Sequence, residues 1–391
     1  MKYYSAIIFS LTIVSVAHGQ TKISSAEHLR RAEDIYHKVW DLYRVPQYGL
    51  FSEYYPQKHS DTLTYMQDQQ VQSKQVSFLW PFSGVFSATN MLVQVPGRKQ
   101  TYLPYLDSAV AAMEKYRDSS RLPVGYQAYP PMFEKSDRYY DDNGLVALDY
   151  CWAFKNTGNT LYLSRAKEVF RFILNGWSDK LGGGTTWLEG HDDQKPACTN
   201  GMATLTALKL YEATKDKQYL EWGLTYYNWM HDHLRDSTGL YANDQKTKDG
   251  SINHTYWTYN SGSMIEAAVM LYQFTGKKAF LTEAQTVAAA TLRHWGKKTA
   301  DGRISILDMP WFVLVLFRGY DALYRVDGNP VYIDVIKGDM DYVWEHSRDK
   351  YGLVFRHWNG GEDETVTAKW LLDESCLVEF YARLAVLQSG K

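Results

Sequence analysis

The residues with the clearest chemical potential are two adjacent aspartates, Asp141 and Asp142, in the run Ser136-Asp137-Arg138-Tyr139-Tyr140-Asp141-Asp142-Asn143-Gly144-Leu145. Neighbouring carboxyls repel when both are ionised, so one keeps its proton to a higher pH than the other. Such a pair can place a proton donor and an ionised nucleophile or base on either side of a glycosidic bond. Side chains next to each other meet that need if the first Asp is still in extended loop and the second is in a helix, since their directions then diverge around one sugar. A helix start also accepts acidic residues for a plainer reason, because one caps the unpaired N–H groups and the other favours the dipole. Here the helix behind the pair, Leu145 to Phe154, is apolar almost all round, and a buried helix start is a poor place for two charges without a further use.

Other candidates lie in similar positions. Gly182-Gly183-Gly184 leads through Thr185-Thr186 to Trp187, followed by His191-Asp192-Asp193 and by Thr199-Asn200-Gly201. His254-Thr255-Tyr256-Trp257-Thr258-Tyr259-Asn260 adds aromatics and an amide, and Trp80-Pro81-Phe82 does likewise. Trp80, Tyr139, Tyr140, Trp187, Trp257 and Tyr259 are expected to stack on sugar faces, with Asn143, Asn200 and Asn260 bonding hydroxyls. The glycine run lacks the Gly-Lys-Ser/Thr ending of a phosphate loop. His191-Asp192-Asp193 reads as a solvated loop, since three consecutive residues rarely converge on one ion. No metal or other cofactor is expected.

The elements that position these residues are read from a repeat. A turn followed by an aromatic and an aliphatic residue recurs at Tyr102-Leu103, Tyr162-Leu163, Tyr219-Leu220, Phe280-Leu281 and Tyr332-Ile333. The spacing, about sixty residues, accommodates a helix, a turn, a second helix and a loop. The helix after each turn is amphipathic, as in Leu163, Ala166, Phe170, Ile173, Leu174 and Trp177. The helix before each turn is apolar all round, as in Met264 to Tyr272 and Trp311 to Phe317, and must be surrounded by protein. With a first helix from about Ser24 to Arg44 and a last from about Thr367 to Gln388, six inner and six outer helices alternate. The fold predicted is an all-α (α/α)6 barrel, one domain over 20–391. The longer connections, Gly49 to Leu79, Arg121 to Asp141, Gly182 to Asn200 and Gly239 to Tyr259, run from outer to inner helices and should meet at the functional face.

Composition narrows the partners. The 391 residues carry 42 Lys+Arg against 44 Asp+Glu, a net charge of −2. This lacks the positive surplus of a nucleic-acid or membrane-surface binder. Aromatic residues make up 15%, with 31 Tyr and 13 Trp, which suits an amphipathic ligand such as a neutral sugar as well as a core. Met1 to Gly19 has the layout of a secretory signal, with Lys2, an apolar stretch from Ala6 to Val16 and the small-x-small site Ala17-His18-Gly19. Cleavage there predicts a periplasmic or secreted chain without a membrane anchor, and a monomer is expected. Cys151, Cys198 and Cys376 form no disulfide framework or metal pattern, and Cys151 and Cys376 are expected as buried thiols.

Taken in order, these motifs resemble glycoside hydrolase family 76, the α-1,6-mannanases. The match rests on Tyr139-Tyr140-Asp141-Asp142-Asn143, Gly182-Gly183-Gly184 with Trp187, Thr199-Asn200-Gly201 leading into Leu210-Tyr211-Glu212-Ala213-Thr214, and Thr258-Tyr259-Asn260-Ser261-Gly262 with Leu271 to Gly276. The resemblance implies an (α/α)6 barrel that hydrolyses the α-1,6 backbone of mannan, in endo fashion and with retention. It implies Asp141 as nucleophile and Asp142 as general acid/base. Thr185-Thr186 departs from the Gly-Gly-Gly-Ile-Trp-Trp of many bacterial members, so one aromatic subsite should differ. Three alternatives stay open: a transglycosylase using the same carboxylates, a non-catalytic glycan binder, and a histidine-dependent sugar epimerase of the same barrel.

Overall fold

The computed structural model describes residues 23–56, 62–64, 70–72, 75–356 and 368–389. The predicted signal segment 1–19 lies outside them. Twelve α-helices occupy the described residues: α1 Ser25–Leu42, α2 Leu79–Gln94, α3 Lys99–Met113, α4 Tyr140–Thr157, α5 Thr160–Asn175, α6 Ala197–Thr214, α7 Lys217–His233, α8 Thr258–Thr275, α9 Lys278–Trp295, α10 Pro310–Asp327, α11 Val331–His346 and α12 Leu371–Ser389.

The even-numbered helices form the inner ring. Each packs on the next, α2 on α4 and so on to α12, and α12 packs back on α2. The odd-numbered helices lie outside, with α1 against α12 so that the two ends of the chain close the double ring. Burial follows the predicted asymmetry. On α2 and α8 nearly every residue is buried, whereas α5 buries Tyr162, Ala166, Val169, Phe170, Phe172 and Ile173 and leaves its other face wet. Each large side chain buried on such a stripe contributes roughly 1.5–3 kcal/mol, which is what fixes an amphipathic helix to the ring. Near their N-termini the inner helices approach closely through glycine. A Cβ on Gly262 of α8 would stand 2.5 Å from the Leu316 backbone of α10.

The short inner-to-outer turns have a common stop. Gly158, Gly276 and Gly328 sit in the left-handed region after α4, α8 and α10 (φ 75°, 71° and 71°), and Lys215 does so after α6 (φ 59°). The longer outer-to-inner connections carry small sheets that helical periodicity does not reveal. Gln194–Pro196, Ala242–Lys246 and Ile252–Tyr256 pair antiparallel as a three-stranded sheet on the face that holds the inner-helix N-termini.

Candidate active site

Asp141 and Asp142 both lie in the first turn of α4, after Tyr139, whose side chain does not cap the helix. The expectation that the first Asp belongs to extended loop is corrected. Both are helical, and their side chains diverge because successive residues turn by about 100° around the axis. Both are half-buried. The unpaired N–H groups and dipole of α4 favour negative charge here, while burial opposes it.

The two carboxyls have different surroundings. The Trp187 indole donates to Asp141 Oδ2 at 3.0 Å. The Cys198 thiol, at the start of α6, and the backbone amides of Asp141 and Asp142 also favour its charge. Burial still raises its pKa above the usual carboxylate value. Among the described residues no such donor serves Asp142. Burial first, and then the Asp141 charge, push its pKa far up. The pair therefore loses its protons in order, Asp141 before Asp142, an inequality that suits acid-assisted displacement at an acetal.

Two aromatic groups gather at the inner-helix starts. Tyr139 and Trp187 pack together with ring centroids 4.9 Å apart. In the second group Phe312, near the start of α10, joins Trp80, Trp257 and Tyr259 at 6.4, 5.5 and 5.6 Å, and Trp80 meets Trp370 edge-on at 5.3 Å. Burial first, and then nearby charges that include both carboxyls, raise the pKa values of the Tyr139 and Tyr259 phenols.

Residues 31–308 match the family described as glycosyl hydrolase family 76. The chain belongs to this family. Among solved structures, a family 76 mannosidase from Bacteroides thetaiotaomicron is 26% identical, with a TM-score of 0.84 over 93% of this chain and 99% of that one. An inactive α-1,6-mannanase variant from Salegentibacter, altered at two adjacent aspartates and bound to α-1,6-mannotriose, is 22% identical with a TM-score of 0.74, over 92% of this chain and 99% of that one. The mannan endo-1,6-α-mannosidase of Candida glabrata is 32% identical over 130 residues, and that of Saccharomyces cerevisiae 30% over 145. These stretches are 30% and 34% of this chain, and span only 28% and 31% of the yeast proteins.

Within this family 76 chain the structure gives several sequence-selected residues other work. Tyr140 turns outward. Its ring stacks on Phe172 of α5 at 4.8 Å and occupies the space beside Gly176, so it packs two helices and does not face the aspartates. Asn143 and Asn200 are buried with their amides engaged by backbone. Asn143 accepts from Tyr126 N and donates to the carbonyls of Tyr126 and Tyr139, and Asn200 accepts from Thr185 N and donates to those of Thr185 and Pro196. Asn260 reaches the carbonyls of Tyr241 and Ala242 at 3.5 Å. These three tie each incoming loop to its inner helix, and the expectation that they bond sugar hydroxyls is corrected accordingly. Asp192 pairs with Lys180 on an exposed loop.

The sequence reading passed over Cys198, Phe312 and Trp370. Trp370 could have been found by the rule that selected Trp80 and Trp257, an aromatic at the entry to an inner helix. Phe312 lies inside an apolar run that reads as core. A lone cysteine has no pattern to flag it, although Cys198 stands two residues before the selected Asn200.

Proposed function

We propose that the chain is an exported, endo-acting α-1,6-mannosidase that cleaves the backbone of a mannan with retention at the anomeric carbon. The observation that carries this is the unequal environment of two adjacent carboxyls, one beside the Trp187 N–H and the Cys198 thiol, the other without a donor among the described residues. In this reading Asp141 attacks the anomeric carbon from the face opposite the leaving oxygen. Asp142 gives that oxygen its proton, and the departing mannan segment leaves as an alcohol. Asp142, now ionised, takes a proton from water, whose oxygen displaces Asp141 and restores the original configuration. Trp80, Trp257, Tyr259, Tyr139 and Trp187, with Phe312 and Trp370, supply apolar faces for the sugars along the cleft. The named activities of the yeast and Salegentibacter proteins support the substrate. The near-neutral chain suits an uncharged polymer.

Of the histidines an epimerase could use, His59 and His357 lie outside the described residues, and His254 sits on the strand Ile252–Tyr256 with its ring on the Tyr256 hydroxyl. His37, His294 and His346 lie on the outer helices α1, α9 and α11. Digestion of linear α-1,6-mannan tests the proposal. Wild-type protein is expected to release short manno-oligosaccharides, and Asp141→Asn and Asp142→Asn to lose at least about a hundredfold in rate. Full activity in either variant would remove that residue from its role. Binding of the polymer without release of product would favour the non-catalytic alternative.

A further inference from the structure

We infer that Lys195 is a positioning residue, whose ammonium locks the loop 178–187 in the conformation that sets Trp187 on Asp141. Lys195 is fully buried, and its Nζ donates to the carbonyls of Ser178, Lys180 and Gly183. An ammonium has three N–H donors, and all three are used on backbone. The charged groups around it are Asp179, Lys180 and Asp192, none of them hydrogen-bonded to it. A buried ammonium without a bonded carboxylate is costly, and it is held here by converging carbonyl dipoles, much as oxygen ligands hold a monovalent cation. Burial lowers its pKa to about 8, so the charged form prevails at pH 7.

The loop can present its carbonyls inward only through an unusual backbone. Leu181, Gly182, Gly183 and Gly184 have φ values of 58°, 71°, 134° and 87°. A side chain on Gly183 would also strike Trp177, its Cβ lying 2.7 Å from that indole. The path from this cage to the aspartate is short. Thr185 is clamped by Asn200, the Thr186 N–H bonds the Gly176 carbonyl, and the Trp187 carbonyl accepts from Tyr140 N at 2.9 Å. The Trp187 indole then reaches Asp141. Without the ammonium, three carbonyls of one tight loop crowd together, that of Lys180 keeping the Gly183 N–H at 3.4 Å, and the loop relaxes away from α4.

This inference rests on the reading of Asp141 as the ionised catalytic group, and its test separates the two. Lys195→Met and Trp187→Phe are each expected to lower kcat on α-1,6-mannan about tenfold, with KM changed much less. The double variant should lose no more than the worse single one. Losses that multiply would show that Lys195 acts apart from Trp187 and overturn the inference. In Lys195→Ala, ammonium chloride should restore much of the lost rate and tetramethylammonium none, whereas equal responses to both salts would contradict a carbonyl cage. Lys195→Gln keeps two donors, so an intermediate rate is expected even if the methionine variant folds poorly, and a wild-type rate would overturn the inference. Limited trypsin digestion reads the loop without catalysis. Cleavage after Lys180 should be slow in wild type and in Asp141→Asn, and rapid in Lys195→Met. If Asp141→Asn proves fully active, the catalytic reading fails, while the trypsin result still decides whether Lys195 holds the loop.

Discussion

At the scale of single residues, two chemically identical side chains are separated by their neighbours. Asp141 has Trp187 and Cys198 beside it, and Asp142 has neither, so the pair loses its protons in two steps with Asp141 first. The pH dependence follows with a definite sign. Activity rises as Asp141 ionises, above the ordinary aspartate range because burial raises its pKa, and falls as Asp142 loses the proton it must donate. Asp142→Asn should abolish the falling limb. On mannan it should cost about 10²–10⁴ in kcat, and far less in the first step on an aryl glycoside of α-1,6-mannobiose whose leaving group needs no proton. A falling limb that persists unchanged in this variant would place the acid elsewhere. The aspartates themselves were legible in the sequence, since two charges before an apolar helix conflict with burial. The neighbours that make them unequal were not. Trp187 lies 46 residues from Asp141 in the chain, and nothing in the sequence aims its indole or the Cys198 thiol at one carboxylate and not the other.

At the scale of elements, helices were readable because 3.6-residue periodicity and all-round apolarity persist through long stretches. The turns were readable from recurring Thr-Gly and Asp-Gly signals. The loops were less so. Their short strands obey tertiary pairing, and the amides read as ligand donors, Asn143 and Asn200, are used inside the protein to fasten those loops. Both uses call for the same residue at a helix start, so residue type could not separate them. The turn repeat offers a matched test. Gly158 and Lys215 occupy equivalent left-handed positions, with φ 75° and 59°. Gly158→Ala should destabilise by about 1 kcal/mol, the penalty for a Cβ in that region. Lys215→Gly should stabilise by somewhat less than that, since its ammonium also lies over Tyr211 and Phe274. Thermal unfolding of the two variants checks this, and shifts of the same sign in both would contradict it.

At the scale of the whole molecule, the closed double ring gathers the starts of the inner helices, and the longer loops that feed them, on one face. The inner ring is not wholly apolar. Below the aspartates Arg318 grips Glu379 with two bonds of 2.8 and 2.7 Å, Arg383 bridges Glu379 and Asp321, and Lys209 pairs with Glu266. These charges come from four inner helices. Buried pairs of this kind are weak evidence of stability but restrict how the helices can register against each other. Hydrophobic patterning predicted the ring but not this layer, because isolated charges in apolar helices show no partner until the helices are assembled. The aromatic excess divides in the same way, with Tyr162, Tyr219 and Tyr332 packing between helices and a smaller set, proposed to meet sugar, at the inner-helix starts. The proposed chemistry is double displacement, in which a carboxylate and a carboxylic acid on adjacent residues cleave an α-mannoside. Proton NMR of a fresh digest of linear α-1,6-mannan tests it most directly. The new reducing ends should appear first as the α-anomer and only later equilibrate with β. Early accumulation of the β-anomer would mean single displacement by water, and would contradict the role given to Asp141.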